Sequence, residues 1–369
     1  MARFTVHVIA AARPNFMKVA PLIHALNRTD WAKPVLVHTG QHYDRNMSDA
    51  ILEDLQIPSP DFHLGVGSGS HAEQTGNVMI EYEKVCMEHR PDAIVVVGDV
   101  NSTAACAMVG AKLWIPVVHL EAGLRSGDRR MPEEINRLVT DAIADMLWTP
   151  SADADENLGN EGVPANRIEL IGNIMIDSFE MLREKIEASD ARSELGLEDG
   201  KYALVTLHRP SNVDARETLE PIVEALVEVG KRMPLLFVAH PRTIKGLEAF
   251  DLKDRLTTAQ GVSLSEPLPY IRFMNLVTGA HLVITDSGGL QEETTYLDIP
   301  CLTMRENTER PITITQGTNK LVDATNLIAN VDDVLNGNWA SGVCPPLWDG
   351  KTAERAAESL RRHFSAGTD

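Results

Sequence analysis

The chain has 369 residues and a mass of 40.5 kDa, a length that favours two domains over one. Its 43% hydrophobic and 24% charged content is that of a globular protein, not of a disordered, collagenous or coiled-coil chain. Lys and Arg number 34 against 53 Asp and Glu, a formal charge of −19, so the surface as a whole repels nucleic acid and anionic membrane, and any site for an anion has to be local.

Four cysteines, Cys86, Cys106, Cys301 and Cys344, have no CxxC spacing; neither a disulfide framework nor a metal site is read from them. No apolar run approaches the roughly 20 residues of a membrane span. The opening residues pass straight into a strand pattern without the profile of a signal peptide. A cytoplasmic protein without a nucleic-acid or membrane partner is expected.

Apolar, β-branched runs at residues 6–11, 34–38, 93–98, 117–121 and 146–149, with a weaker one at 167–171, read as buried strands. Helical patterns lie between them at 16–27, 49–55, 73–89, 104–113 and 134–144. This alternation makes βαβ units and a parallel sheet. The pattern restarts after a helix at 177–189 and a polar, Gly-bearing stretch at 188–200: a strand at 202–207, a helix at 217–232, then strands at 235–239, 262–264, 282–285 and 301–304. The expectation is an α/β protein of two Rossmann-like, doubly wound domains, 1–173 and 174–350. A final helical stretch at 352–363 follows a Pro/Gly-rich crossing at 344–350, and residues 351–369 are expected to pack back on the first domain.

In such sheets ligands bind beyond the carboxyl ends of the strands, so the residues there carry the functional reading. The first strand runs into Ala12-Arg13-Pro14-Asn15-Phe16-Met17-Lys18. A helix start with Arg13 and Lys18 suits a phosphate or carboxylate. The strand at 93–98 delivers Gly98-Asp99-Val100-Asn101-Ser102-Thr103; only one helix cap is needed there, which leaves Asp99 as a candidate site carboxylate. Glu121 follows the next strand, and a charge at that place is costly unless paired. Arg125 or Arg137 is the candidate partner. In Met131-Pro132-Glu133-Glu134-Ile135-Asn136-Arg137, Glu133 and Arg137 are four apart on one helix face.

In the second half, Leu207-His208-Arg209-Pro210 and Ala239-His240-Pro241-Arg242 each end a strand with a histidine and a proline turn. Thr285-Asp286-Ser287-Gly288-Gly289-Leu290-Gln291-Glu292-Glu293 runs a strand through Ser-Gly-Gly into a helix. That builds a nest of backbone amides suited to a diphosphate. It has neither a Walker loop nor GxGxxG. Glu293 lies one turn into the helix, in reach of ribose hydroxyls, and Glu309-Arg310-Pro311 supplies a further cation.

This ordered set, with Thr39-Gly40-Gln41-His42 and Glu121-Ala122-Gly123-Leu124-Arg125, resembles the non-hydrolysing UDP-N-acetylglucosamine 2-epimerases from Ala12 to about Val322. The resemblance implies a GT-B fold with the sugar nucleotide in the cleft. It also implies interconversion of UDP-GlcNAc and UDP-ManNAc without NAD or metal, usually in a homodimer. By motif position it assigns Asp99, Glu121, Glu133 and His208 to catalysis, and Arg13, Lys18, Arg137, Ser287, Gly288, Gly289, Glu293 and Arg310 to substrate binding. Phe273 falls where the family places a residue against the uracil.

The chain departs from the family at Ala11-Ala12-Arg13-Pro14-Asn15, at His208-Arg209-Pro210-Ser211, at Leu268 and at Gly67-Ser68-Gly69-Ser70-His71-Ala72. Some relatives with such loops act on UDP-diacetamido sugar acids, which makes a 2-epimerase of such a sugar the first alternative. A GT-B glycosyltransferase and a catalytically silent nucleotide-sugar sensor are the others. The first lacks an evident acceptor groove, and the second would be expected to lose the carboxylates that are retained here.

Overall fold

The computed structural model describes residues 3–11, 13–40, 53–339 and 341–365. Two compact units are present: Met1–Met181 with Pro346–Asp369, and Leu182–Pro345. The chain changes unit inside the helix that starts at Ile174, not before it.

Unit 1 is a parallel sheet of seven strands in the order β3-β2-β1-β4-β5-β6-β7. The strands are β1 (Phe4–Ala10), β2 (Ala32–His38), β3 (Phe62–His63), β4 (Ala93–Val97), β5 (Val117–Leu120), β6 (Met146–Thr149) and β7 (Ile168–Leu170). The central strands are apolar on both faces, as a sheet covered by helices on both sides requires; every residue of β4, Ala-Ile-Val-Val-Val, is buried. Its principal helices are α1 (Arg13–Asn27), α2 (His71–Glu88), α3 (Asn101–Lys112), α4 (Pro132–Ile143), α5 (Ala152–Asn160) and α6 (Ile174–Glu187). Ser70 and Glu73 form a reciprocal capping box that starts α2, two residues ahead of the expected start. Pro132 opens α4 at a position where its missing N–H is not needed. Of the helical pattern at 49–55, residues 49–52 lie outside the described residues.

Unit 2 has six parallel strands, β8 (Ala203–Thr206), β9 (Leu235–Val238), β10 (Val262–Ser265), β11 (Leu282–Thr285), β12 (Cys301–Met304) and β13 (Asn319–Val322). Their order is β10-β9-β8-β11-β12-β13, the doubly wound arrangement whose switch point falls between its first and fourth strands, β8 and β11. The corresponding point in unit 1 falls between β1 and β4. Its longer helices include α7 (Arg216–Gly230), α8 (Pro241–Ala249), α9 (Tyr270–Thr278), α10 (Gly288–Tyr296) and α11 (Leu327–Leu335). Among the described residues no helix is long and apolar enough to cross a membrane.

The last helix, α12 (Thr352–Leu360), belongs to unit 1. Asp177 of α6 caps it from outside, accepting from the N–H groups of Thr352 at 3.0 Å and Ala353 at 2.8 Å. The indole of Trp148 in β6 donates to Ser359 at 2.9 Å. These contacts satisfy two of the free N–H groups at the helix start and the N–H of a fully buried tryptophan.

Two histidines are built into the unit 1 core. His7 Nδ1 lies 3.1 Å from the Tyr82 hydroxyl, and His38 Nε2 lies 3.1 Å from the Ala11 carbonyl. Burial first, then the neighbouring His89 for His7 and His63 for His38, pulls each down to about 4. With the folded-state value below the ordinary one near 6.5, the unfolded chain binds more protons between these limits. Stability is therefore lost as pH falls from about 6.5 towards 4, by up to roughly 3 kcal/mol per histidine. Thermal unfolding should show the midpoint falling across this window, and the fall should shrink in His7→Gln. An equal fall in both proteins would remove His7 as a cause.

Candidate active site

In unit 1 the carboxyl ends of β4 and β5 carry two carboxylates, each tied to a cation from another element. Glu121 follows β5 and forms an ion pair with Lys18 of α1. Asp99 follows β4 and forms one with Arg137 of α4. Asn15, one turn before Lys18, donates to the Val97 carbonyl at 3.3 Å and so links α1 across the switch point to the end of β4.

The backbone turns sharply here. Glu121 has φ of 75°, between Gly98 at 69° and Gly123 at 79°. This left-handed conformation is ordinary for glycine and costly for glutamate. It is held because the N–H groups of Glu121 and Ala122 both donate to the Trp148 carbonyl, at 3.1 and 3.0 Å. A Cβ on Gly98 would come 3.5 Å from a Glu121 carboxylate oxygen and 3.4 Å from Lys18 Nζ, so the pair lies directly over the Gly98 turn.

A second layer holds this one. Arg137, only 1% exposed, reaches Glu134 through Nε at 3.1 Å and Nη2 at 2.6 Å. Glu134 in turn accepts from Ser126 N and Gly127 N, both at 3.0 Å. Asn136 donates to the Asp99 carbonyl at 2.9 Å. Behind Glu121, His119 is fully buried in β5, with Nδ1 2.5 Å from Asp141 and Nε2 2.8 Å from the Gly98 carbonyl. Burial alone would raise the Asp141 carboxyl, but His119 and then Arg125, at 2.7 Å, outweigh it and hold it low.

In unit 2 the switch point is bridged by Asp286, which follows β11 and is fully buried. It accepts from the N–H of His208 at 3.0 Å, the N–H of Arg209 at 2.8 Å and Asn212 Nδ2 at 3.0 Å, and it faces His208 Nδ1 at 3.0 Å. Burial pushes this carboxyl up, yet His208, the Arg209 amide and Asn212 together bring it below the usual range.

Ser287 is the N-cap of α10, and Gly288 and Gly289 form its first turn. The N-terminus of α10 thus presents N–H groups and a partial positive charge. Against it lies a buried chain of alternating charge. Arg310 touches Glu292 at 2.7 Å and Glu309 at 2.6 Å; Arg305 reaches Glu309 at 2.8 Å and Arg209 lies 4.0 Å from it. Burial opposes ionisation of Glu309, but Arg310 and Arg305 override it and hold this carboxyl far below the usual range. Glu293 is different. Burial pushes it up to about 7 despite a hydrogen bond from the Tyr270 hydroxyl at 2.6 Å, and Glu292 adds to the rise.

The family model for UDP-N-acetylglucosamine 2-epimerase matches residues 24–361. A UDP-N-acetylglucosamine 2-epimerase of Methanocaldococcus jannaschii is 43% identical over 364 residues, 96% of this chain and 98% of that protein. A crystal structure of the M. jannaschii enzyme in complex with UDP-GlcNAc and UDP superimposes with a TM-score of 0.87 at 41% identity, covering 97% and 99% of the two chains. The chain belongs to the UDP-N-acetylglucosamine 2-epimerase family. It is accordingly a nucleotide-sugar epimerase, an isomerase, built from two Rossmann-like α/β units of the GT-B class. A Neisseria meningitidis UDP-GlcNAc 2-epimerase bound to UDP-GlcNAc has a TM-score of 0.88 at 28% identity, covering 97% of this chain and all of that one. A Pseudomonas aeruginosa UDP-2,3-diacetamido-2,3-dideoxy-D-glucuronate 2-epimerase is 40% identical over 321 residues, 86% and 87% of the two proteins.

Within this epimerase, unit 1 brings Lys18, Asp99, Glu121 and Arg137 together. Unit 2 brings together His208, Ser287, Gly288, Gly289 and Arg310, with Glu293 further along α10. Phe273 lies half-buried on α9. Arg13 is the first residue of α1, and its side chain, like Gln41 and His42, lies outside the described residues.

Three expected pairings are corrected. The partner of Glu121 is Lys18, not Arg125 or Arg137, because Arg125 is taken by Asp141 and Glu161. Lys18 consequently faces a carboxylate, where an anion clamp was expected. The partner of Arg137 on its own helix is Glu134 at i, i+3, while Glu133 is exposed on α4 with no ion pair among the described residues. Sequence reasoning also passed over His119, Asp141, Tyr270 and the structural part of Asp286. For Asp286 the signal was present: an acid directly after a buried strand needs donors, and His208 and Arg209 follow the neighbouring strand.

Arg137 is a cation shared by Asp99 and Glu134. Arg137→Met leaves both carboxylates without it and should cost about 3–5 kcal/mol of stability. Arg137→Lys should not restore it, since one ammonium cannot reproduce the fork. Urea unfolding is the measurement; a loss under about 1 kcal/mol in the Met variant would show that the pair is not structural.

Proposed function

We propose that the protein interconverts UDP-GlcNAc and UDP-ManNAc by inverting C2, through elimination of UDP and its re-addition. The observation that carries this reading is the juxtaposition of two cation-paired carboxylates, Glu121 with Lys18 and Asp99 with Arg137, at adjacent strand ends. It is joined to membership of a family whose relatives bind UDP-GlcNAc.

The chemistry explains why such groups are needed. The C2 proton of the sugar is not acidic, since no carbonyl adjoins it in the ring. Elimination removes it together with the C1–O bond: a carboxylate takes the proton, the C2–H electron pair forms the C1–C2 double bond, and the diphosphate leaves with the C1–O pair. Re-addition of UDP to the resulting 2-acetamidoglucal returns a proton to the opposite face of C2. Proton transfer by a positioned group contributes about 10²–10⁴-fold. An acid paired with a cation is held as the carboxylate, the form that accepts the proton, which suits Glu121 and Asp99. Glu133, exposed on α4, is a further candidate acid or base.

Unit 2 supplies the nucleotide half of the reaction. The amides at Ser287, Gly288 and Gly289 are suited to the diphosphate as charge develops on it, with His208 and Arg310 beside them. Glu293, held by Tyr270, is suited to the ribose hydroxyls, and Phe273 to the uracil. Arg13 at the start of α1 is a further candidate for the diphosphate.

A second substrate is favoured by one observation. The 40% identical P. aeruginosa relative is an epimerase of a UDP-diacetamido sugar acid, and the departures at residues 11–15 and 208–211 fall at strand ends of both units. Incubation of the pure protein with each sugar nucleotide in D₂O, followed by NMR, distinguishes them. Deuterium at C2 with UDP-ManNAc appearing supports the first reading. Turnover of the diacetamido sugar acid alone replaces it, and release of free ManNAc would show hydrolysis.

Two variants test the roles. Asp99→Asn should keep UDP affinity within a few-fold and lower turnover about 10²–10⁴-fold; turnover at the wild-type rate would take Asp99 out of the mechanism. In Gly288→Ala the new Cβ would come 2.6 Å from Glu309 Oε1 and 2.8 Å from Arg310 Nη1. Loss of one charge-assisted contact to the diphosphate should weaken UDP roughly 10-fold or more. An unchanged dissociation constant by calorimetry would place the diphosphate elsewhere.

A further inference from the structure

We propose that Asp286 is a positioning residue that fixes the tautomer of His208, keeping the proton on Nδ1 so that Nε2 takes up a proton when a diphosphate docks. The inference rests on the nucleotide reading of unit 2 given above, and it deepens that reading by assigning a proton to nucleotide binding.

The geometry is specific. Asp286 accepts from two consecutive backbone N–H groups, His208 and Arg209, and from Asn212. These three donors fix the carboxylate before the imidazole is considered. Asn212 is itself held by the Met304 carbonyl at 3.0 Å. A carboxylate fixed in this way has no hydrogen to donate to His208 Nδ1, 3.0 Å away, and so favours the tautomer with the hydrogen on Nδ1 and the lone pair on Nε2. The His208 side chain is 42% exposed while Asp286 is fully buried, so the pair joins a solvent-facing ring to an interior anchor.

Other charged groups around the ring come from each neighbouring element. His240, after β9, has its ring centroid 5.8 Å from that of His208. Its Nδ1 accepts from Arg242 N at 3.2 Å, and burial, then His208 and Arg242, hold it below the ordinary histidine value against the pull of Asp286. Arg242 is neutralised by Asp214 at 2.6 Å, and Arg209 lies beside Glu309. Of the two histidines, only His208 has a carboxylate directly on the ring to stabilise the imidazolium.

The step balances simply. When the diphosphate docks, Nε2 takes one proton from solvent, the ring becomes an imidazolium, and its new N–H donates to a diphosphate oxygen. That hydrogen bond strengthens as the C1–O bond breaks and charge accumulates on the leaving group. On release of the nucleotide the proton returns to solvent. Asp286 remains ionised throughout, as the partner of a catalytic histidine does in other folds.

The test uses the full chain with ¹⁵N-labelled histidine and UDP as the probe, with His208→Gln assigning the His208 signal. Free wild-type protein near neutral pH should show hydrogen on Nδ1 and a bare Nε2, and UDP should protonate Nε2. In Asp286→Asn the amide offers an N–H to the ring, so the hydrogen should move to Nε2. UDP should then bring no change in ring charge, and kcat should fall about 10²-fold with KM within a few-fold. An Nε2–H tautomer in the free wild type, or the same tautomer in both proteins, overturns the proposal.

Should Asp286→Asn fail to fold, calorimetry of UDP binding in buffers of different ionisation heat decides with folded proteins. Wild type should take up more protons than His208→Gln, and equal uptake overturns the proposal. Glu293 is present in both and cancels in that comparison. A protein that binds no UDP overturns the nucleotide reading of unit 2, and the tautomer of the free protein then still tests Asp286.

Discussion

A carboxylate delivered to the end of a buried parallel strand has to be met by a donor from somewhere else in the fold, and much of the site follows from that requirement. An uncompensated charge in such a place costs several kcal/mol. Glu121 is met by Lys18 from the far side of the switch point, Asp99 by Arg137 from the helix after the next strand, and Asp286 by two backbone amides and an asparagine. Each of these contacts joins elements that are distant in sequence. The groups proposed to do chemistry are therefore also groups that tie the loops of each unit to one another.

The backbone carries part of the same burden. A glutamate at positive φ is a strained residue, costing of order 1–3 kcal/mol. Two amides on one carbonyl and the Lys18 contact hold it there. The conformation turns Glu121 out of the direction that β5 would otherwise give it and sets its carboxylate over Gly98. His119, one strand position before Leu120, pins the other side of this turn through the Gly98 carbonyl. Pre-organisation at this place is a matter of local backbone geometry as much as of side-chain choice.

The central strands were legible because a sheet covered on both faces writes uninterrupted apolar runs; residues 93–97 and 282–285 could hardly be anything else. The edges were not. β3 is two residues long, and β13 runs Asn319-Lys320-Leu321-Val322, two polar residues before two apolar ones. The short, acidic α5 has only Ala154 and Leu158 buried, too narrow an apolar stripe to register as a helix. In the candidate site, residues of one local motif, such as Ser287, Gly288 and Gly289 at the start of α10, stand together because spacing along the chain preserves them. What failed was pairing over distance: the choice of Arg125 or Arg137 for Glu121 followed nearness in sequence, whereas Lys18 lies more than a hundred residues away. The Glu133 and Arg137 face failed for a local reason. Glu134, one residue on, is the one turned inward, where Ser126 and Gly127 amides complete its shell.

Both units set carboxylates among cations at the ends of their strands. In unit 1, among the described residues, Lys18 and Arg137 meet Asp99, Glu121 and Glu134. In unit 2 the guanidiniums of Arg209, Arg305 and Arg310 lie with Glu292 and Glu309, while Asp286 accepts from the Arg209 amide. The amide end of α10 adds partial positive charge there, the kind of environment that suits a diphosphate. The formal charge of −19 does not oppose this, because exposed charges beyond about 8–10 Å are largely screened at physiological salt, while the Arg310 and Glu309 cluster acts at contact distance. A negatively charged protein can thus hold a negatively charged nucleotide where cations and oriented amides lie at contact distance from it.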